Sequence, residues 1–267
     1  MKLAAEVRQR VAKGEALFGT FVLELTTPAV VPILKNCGFG FFLIDLEHGL
    51  ISDTEMRTLI AAGKHYGLCP IVRVPDASRG PITRALDAGA EGVIVAMVES
   101  MDDVRQAVQS AKYPPLGRRG VHLLRPHTDF VPPADSAAYL TQANREIILG
   151  IQIETIAAAG LVDEIAALPG VDLLYVGPSD LAVAFSVTGM PAKEHVLAAA
   201  LQTARACRAH GKIAGIHAAD AETLARLIPE QVALFGHAAD LRLLREGAQA
   251  FMTAAQQEVR RAREAAG

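Results

Sequence analysis

The sequence predicts an α/β protein built as a closed (β/α)8 TIM barrel. Eight apolar runs of strand length are spread over the whole chain, and stretches of helical period alternate with them. No G-x-G-x-x-G turn follows the first run, as an open doubly wound sheet binding a dinucleotide would require. The 267 residues suit one such barrel, so 1–267 is expected to form a single domain.

Before the first run, the charged amphipathic start Met1-Lys2-Leu3-Ala4-Ala5-Glu6-Val7-Arg8 reads as a helix, without the apolar core and cleavage site of a secretory signal. The runs themselves cover residues 18–25, 41–46, 70–74, 92–97, 147–154, 173–177, 212–216 and 232–236. Near-continuous apolarity is the mark of parallel strands buried on both faces. Helices are expected over 53–65, 81–89, 101–111, 155–167, 194–210, 219–228 and from Asp240 to the C-terminus, with Asp53 and Asp102 as N-caps. Residues 113–145 hold Pro114, Pro115, Pro126, Pro132 and Pro133, too many for one helix, and read as a functional cover or subunit contact.

Charge and cysteine content exclude several functions. The net charge of -3, with acids and bases mixed, offers no basic stripe to nucleic acid. No apolar run approaches the ~20 residues of a membrane span. Cys37, Cys69 and Cys207 are scattered and odd in number, which suits a reducing cytoplasm, and each is read as a small packing residue. A small-molecule partner is expected.

In a β/α barrel the C-terminal strand ends meet at one rim, so polar residues there converge. Glu154 and Asp180 follow the fifth and sixth runs, and as neighbouring carboxylates they suit a hard divalent cation. An acid in this position also serves as a helix cap; for the pair, with Gln152 on the same face, the metal reading is favoured. Gly177-Pro178-Ser179-Asp180 is a turn into a short helix, either a tight turn only or a cradle of N–H groups for a carboxylate. Arg73 lies within an apolar run, where it either stabilises a developing enolate oxygen or pairs with Asp45 or Glu47. His48, flanked by those acids, is the leading acid/base candidate. His65, His195 and His210 are assigned to helix surfaces. His122, His127, His217 and His237 stay open, the last two near the ends of the seventh and eighth strands.

Assembled in order, Leu43-Ile44-Asp45-Leu46-Glu47-His48-Gly49, Arg73-Val74-Pro75, Leu86-Asp87-Ala88-Gly89-Ala90, Tyr113-Pro114-Pro115-Leu116-Gly117-Arg118-Arg119-Gly120, Gln152-Ile153-Glu154-Thr155 and Val176-Gly177-Pro178-Ser179-Asp180-Leu181 resemble the HpcH/HpaI aldolase family over nearly the whole chain. These are metal-dependent class II pyruvate aldolases with barrels of the phosphoenolpyruvate/pyruvate type. The resemblance implies that Glu154 and Asp180 ligate Mg2+, Mn2+ or Co2+, which chelates a 2-oxo acid. It further implies that Arg73 contacts the oxo oxygen, that His48 works with Asp45 in proton transfer, and that Gln152 positions ligand and metal water. Gly177, Pro178, Ser179 and Asp180 then line the substrate. Asp87 is implied to approach a histidine of a neighbouring subunit in a homo-oligomer, trimer or hexamer.

The expected reaction is reversible cleavage of a 4-hydroxy-2-oxo acid to pyruvate and an aldehyde. A lyase acting on a CoA thioester and a non-catalytic 2-oxo-acid-binding protein are the alternatives. The chain departs from the family pattern at Gly19-Thr20-Phe21, Gly38-Phe39-Gly40, Ala96 and residues 121–127, mostly on the side expected to face the aldehyde.

Overall fold

The computed structural model describes residues 2–189, 191–217 and 220–266. Eight parallel strands close into a barrel in the order β1 to β8: β1 (Leu17–Val22), β2 (Phe41–Asp45), β3 (Cys69–Val74), β4 (Gly92–Val95), β5 (Ile148–Ile153), β6 (Leu173–Val176), β7 (Ile213–Ile216) and β8 (Val232–Ala239). Alternate strand residues fill two cores. Phe41, Leu43, Ile71, Ile94, Ile148, Leu173 and Leu234 pack inside the barrel, while Phe42, Ile44, Val72, Val93, Leu149 and Leu174 pack outward against the helices. This two-sided burial is why the strands read as continuous apolar runs.

Around the barrel lie α1 (Lys2–Ala12), α2 (Val30–Asn36), α3 (Asp53–Tyr66), α4 (Arg79–Asp87), α5 (Met101–Ala111), α6 (Ser136–Glu146), α7 (Ile156–Gly160), α8 (Val162–Ala167), α9 (Pro178–Val187), α10 (Ala192–Ala209), α11 (Ala221–Leu227) and α12 (Asp240–Ala266). Ala4 and Val7 of α1 join the inner core, and the Ala4 N–H donates to Glu91 Oε2 at 3.0 Å, so α1 covers the end where the strands begin. Among the described residues no helix is long and apolar enough to cross a membrane.

Several boundaries differ from expectation for identifiable reasons. β1 stops at Val22 because the N–H groups of Leu23, Glu24 and Leu25 all donate to Asp240 Oδ2. β4 stops at Val95, and Met97 turns to a left-handed φ of 52° with its N–H on Glu154. β8 runs on to Ala239, which pairs with Phe21, and therefore contains His237. The N-caps are Ser52 and Ser100, each closing a capping box, so Asp53 and Asp102 sit in the first turns instead.

The stretch expected as one helix over 155–167 breaks at Leu161 into α7 and α8. The proline-rich interruption ends in α6, capped by Asp135, and α2 forms with Pro32 in its first turn, where a missing N–H costs nothing. Ala219, the expected start of α11, and the terminal residues Met1 and Gly267 lie outside the described residues. Cys37 is exposed, so it is not a packing residue as Cys69 and Cys207 are.

Candidate active site

Asp45 is the last residue of β2 and fully buried, and Arg73 is its register partner on β3. The guanidinium grips Asp45 through both oxygens, Nε to Oδ1 at 2.8 Å and Nη2 to Oδ2 at 2.6 Å, and reaches Glu47 Oε2 with Nη1 at 2.8 Å. The salt bridge weighed from the sequence is therefore real, and it holds Arg73 across the mouth of the barrel. Burial opposes the Arg73 charge, but Asp45, Glu47 and Glu154 outweigh it and raise its pKa. Phe21 of β1 lies beneath the guanidinium, with Cζ 4.4 Å from the ring centroid.

Glu154 follows β5 and is 1 % exposed. Its Oε1 accepts the Met97 N–H at 2.7 Å, and its Oε2 accepts from the Gln152 amide. Burial raises the pKa of Glu154, and the charge of Asp180 adds to the effect. Glu47 is raised as well, first by burial, against the attraction of Arg73. Gly177 packs directly on this pair: a Cβ there would stand 2.8 Å from Glu154 Oε2 and 3.0 Å from Gln152 Nε2.

Gly177 is also the N-cap of α9. Its own N–H donates to Ile153 O and Pro178 has none, which leaves the Ser179 and Asp180 N–H groups at the helix N-terminus to receive an anion. His48 is more than half exposed, its Nε2 3.9 Å from Glu47 Oε2.

His48, Arg73, Gln152, Gly177, Pro178, Ser179 and Asp180 line one cavity of about 200 Å3, together with Phe21, Leu23, Tyr175, His217 and Ala239. Asp45 and Glu154 stand behind Arg73 and Gln152. Asp87 is not part of this group. It ends α4, binds Arg119 at 2.7 Å, and lines a separate hollow with Arg57, Arg84 and Arg125. A larger hollow of about 630 Å3, beside Lys64 and Phe130, also lies apart from the rim residues.

The donor set suits a hard cation. Three carboxylates act on Arg73 and a fourth, Asp180, acts on Glu154, while Arg73 alone among the described cavity-lining residues carries a fixed positive charge. Gln152 Oε1 is buried and has no hydrogen-bond partner among the described residues. No three His, Cys, Asp or Glu residues come together as ligands among the described residues, so the fit rests on two carboxylates and neighbouring neutral oxygens.

Sequence reasoning missed Tyr175 and left His217 open, near the end of the seventh strand. Tyr175 reads as one more apolar strand residue, although a phenol inside a barrel core needs a partner for its hydroxyl. His217 was visible only as the residue that follows a strand.

A parallel barrel whose strand ends gather a guanidinium, carboxylates and a helix N-terminus around a small cavity has the layout of a barrel enzyme for small anionic substrates. The chain belongs to the HpcH/HpaI aldolase/citrate lyase family, whose model matches residues 18–246. It is similar to 2-dehydro-3,6-dideoxy-6-sulfogluconate aldolase of Pseudomonas putida, at 31% identity over 91% of this chain and 93% of that one. It is 34% identical to hydroxypyruvate/pyruvate aldolase of Sagittula stellata, over 77% and 80%. The crystal structure of an HpcH/HpaI aldolase from Desulfitobacterium hafniense superposes with a TM-score of 0.85 at 29% identity, covering 93% of this chain and 96% of the other. The enzyme class is that of an aldolase, a carbon–carbon lyase.

Proposed function

We propose that this chain is a divalent-metal-dependent aldolase that reversibly cleaves 4-hydroxy-2-oxo acids to pyruvate, or a similar 2-oxo acid, and an aldehyde. The observation that carries the reading is the excess of carboxylates around Arg73, with Glu154 buried beside an unpartnered Gln152 oxygen. Glu154 and Asp180 would hold the cation, Mg2+, Mn2+ or Co2+, which when bound supplies Lewis-acid polarisation of the 2-oxo acid.

The chain's own groups do the rest. The Ser179 and Asp180 N–H groups receive the substrate carboxylate, and the α9 dipole favours its charge. Arg73 donates to the oxo oxygen and stabilises the negative charge that develops there. Asp45, expected to work with His48 in proton transfer, acts in this geometry through Arg73, whose fork it fixes, and through the Glu47 N–H it accepts at 3.0 Å. His48, on the open side of the cavity, moves the proton at the methyl carbon, with Glu47 beside it to orient the ring.

The family resemblance supports a role for Asp87 at a contact between subunits of a homo-oligomer, trimer or hexamer; within one chain it stands away from the cavity, paired with Arg119. The scattered, odd-numbered cysteines support a cytoplasmic setting for this reading.

Deuterium exchange into the methyl group of pyruvate, followed by NMR, tests this without knowledge of the aldehyde. Exchange should vanish with EDTA, return with Mn2+, and fall about a hundredfold or more in Glu154→Ala and Asp180→Ala. Full exchange in EDTA or in either variant would sink the site assignment.

A further inference from the structure

Two polar groups buried in the wall of the cavity are not used by the chemistry above. Tyr175 projects from β6 across the barrel. Its ring lies on Gly215 of β7, where a Cβ would come within 2.6 Å of Cδ2, and its hydroxyl lies over Gly236 of β8. His217, the residue after β7, brings Nδ1 to the same place, 2.5 Å from where a Gly236 Cβ would stand. Any side chain at Gly236 would overlap both groups. His217 Nδ1 is buried and without a hydrogen-bond partner among the described residues, and the buried Tyr175 hydroxyl has only the Gly236 backbone against it, with its acceptor and donor capacity not both met. Buried polar atoms are seldom left so, and such a pair calls for an occupant.

We infer that Tyr175 and His217 form a hydrogen-bonding subsite for a hydroxyl group of the acceptor aldehyde, and so favour 2-hydroxyaldehydes over plain alkyl aldehydes. The inference rests on the aldolase reading. Both residues line the same cavity as Arg73, Tyr175 from β6 and His217 just after β7, together with Phe21 of β1 and Ala239 of β8. Phe21 joins the two halves: its ring lies under Arg73 and meets the His217 ring at 4.8 Å between centroids, at 60°.

The chemistry of the two groups selects the occupant. Burial, reinforced by Arg73, holds His217 neutral with its pKa near 4, so one ring nitrogen accepts while the phenol donates. A hydroxyl accepts from one and donates to the other at once. A carbonyl oxygen has no proton to give, and a methyl group has neither capacity.

The test compares glycolaldehyde with acetaldehyde as acceptors for pyruvate with Mn2+, in the parent enzyme and in Tyr175→Phe, His217→Leu, His217→Asn and the Tyr175→Phe/His217→Leu double variant. The ratio of kcat/KM for the two aldehydes should fall about tenfold in Tyr175→Phe and in His217→Leu. The double variant should lose little more than either single, since both groups serve one hydroxyl. His217→Asn, which keeps an acceptor, should retain part of the preference.

A ratio unchanged within about twofold in both single variants, as measured against the ~tenfold expectation, overturns the subsite. So does a change confined to the preference for hydroxypyruvate over pyruvate as donor, which would place the groups on the other substrate. Parent enzyme that exchanges no pyruvate proton removes the aldolase reading and this inference with it; exchange with unchanged ratios removes the inference alone.

Discussion

Asp45 and Arg73 face each other across the β2–β3 register and are joined by two hydrogen bonds of 2.8 Å and 2.6 Å, both residues almost wholly buried. Neither strand end could hold this charge alone. Asp45→Ala leaves the guanidinium with Glu47 as its remaining close partner, and breaking such a buried pair costs about 3 kcal/mol. The urea midpoint should drop at constant m-value, and pyruvate proton exchange should fall about a hundredfold as Arg73 loses its aim. A midpoint equal to the parent's would show that the pair does not hold the rim.

Gly177→Ala is expected to damage the proposed cation site without replacing a ligand. The new methyl would stand 2.8 Å from Glu154 Oε2 and 2.9 Å from Glu154 Cβ. Glu154 has little room to yield, because the Met97 N–H and the Gln152 amide already hold its two oxygens. Overpacking of this kind costs about 1–3 kcal/mol. If the cation also binds about tenfold less tightly, the variant loses a further ~1.4 kcal/mol of Mn2+-dependent stabilisation. Thermal melts with and without Mn2+ separate the two effects; an equal Mn2+ shift in variant and parent would show that Glu154 had not been displaced.

The barrel was legible because burial on both faces leaves little choice but apolar residues, and each of the eight strands announces itself that way. Strand ends were less legible, because distant polar partners decide them. Nothing local to residues 23–25 says that Asp240 will take their N–H groups, and nothing local to Met97 says that Glu154 will take its own. The acids and Arg73 were recognisable as charges placed in apolar runs. Tyr175 escaped notice and His217 stayed open because their proximity depends on Gly236, a small residue on a third strand whose importance lies in the side chain it lacks. Asp87 was grouped with the site by resemblance, whereas within one chain it binds Arg119 outside the cavity.

His217 should leave a mark on the pH dependence of stability. Burial, then the charges of Arg73, His237 and Arg242, lower its folded pKa to about 4, with Asp45 opposing. Its unfolded value is about 6.5. In that window the unfolded chain binds a proton that the folded chain refuses, so the contribution is fully present above pH ~6.5 and is lost as the pH falls through ~4. One proton corresponds to a slope of about 1.4 kcal/mol per pH unit. Urea unfolding of the parent should therefore steepen between these limits relative to His217→Leu, in which the other titrating groups are retained. Parallel curves would show that His217 titrates alike in both states.

Asp240 opens α12 and joins the last strand of the barrel to the first. One oxygen, Oδ2, accepts from Leu23, Glu24 and Leu25 at 3.0, 2.9 and 2.7 Å, while Oδ1 accepts from the Leu241 N–H at 2.8 Å. Asp240→Ala strands three N–H groups at the end of β1, a cost of about 3 kcal/mol once water has reached some of them. The effect should be local first. Amides of residues 23–25 should exchange with solvent at least about tenfold faster, as expected when a tether worth more than ~1.4 kcal/mol is lost. Those of Leu43 and Ile71 inside the barrel should follow global stability. Because Leu23 lines the cavity beside Phe21, loosening this segment should raise KM for the aldehyde more than it lowers kcat. Uniform acceleration across the barrel would mean that Asp240 supports the fold as a whole and has no particular hold on the acceptor side of the site.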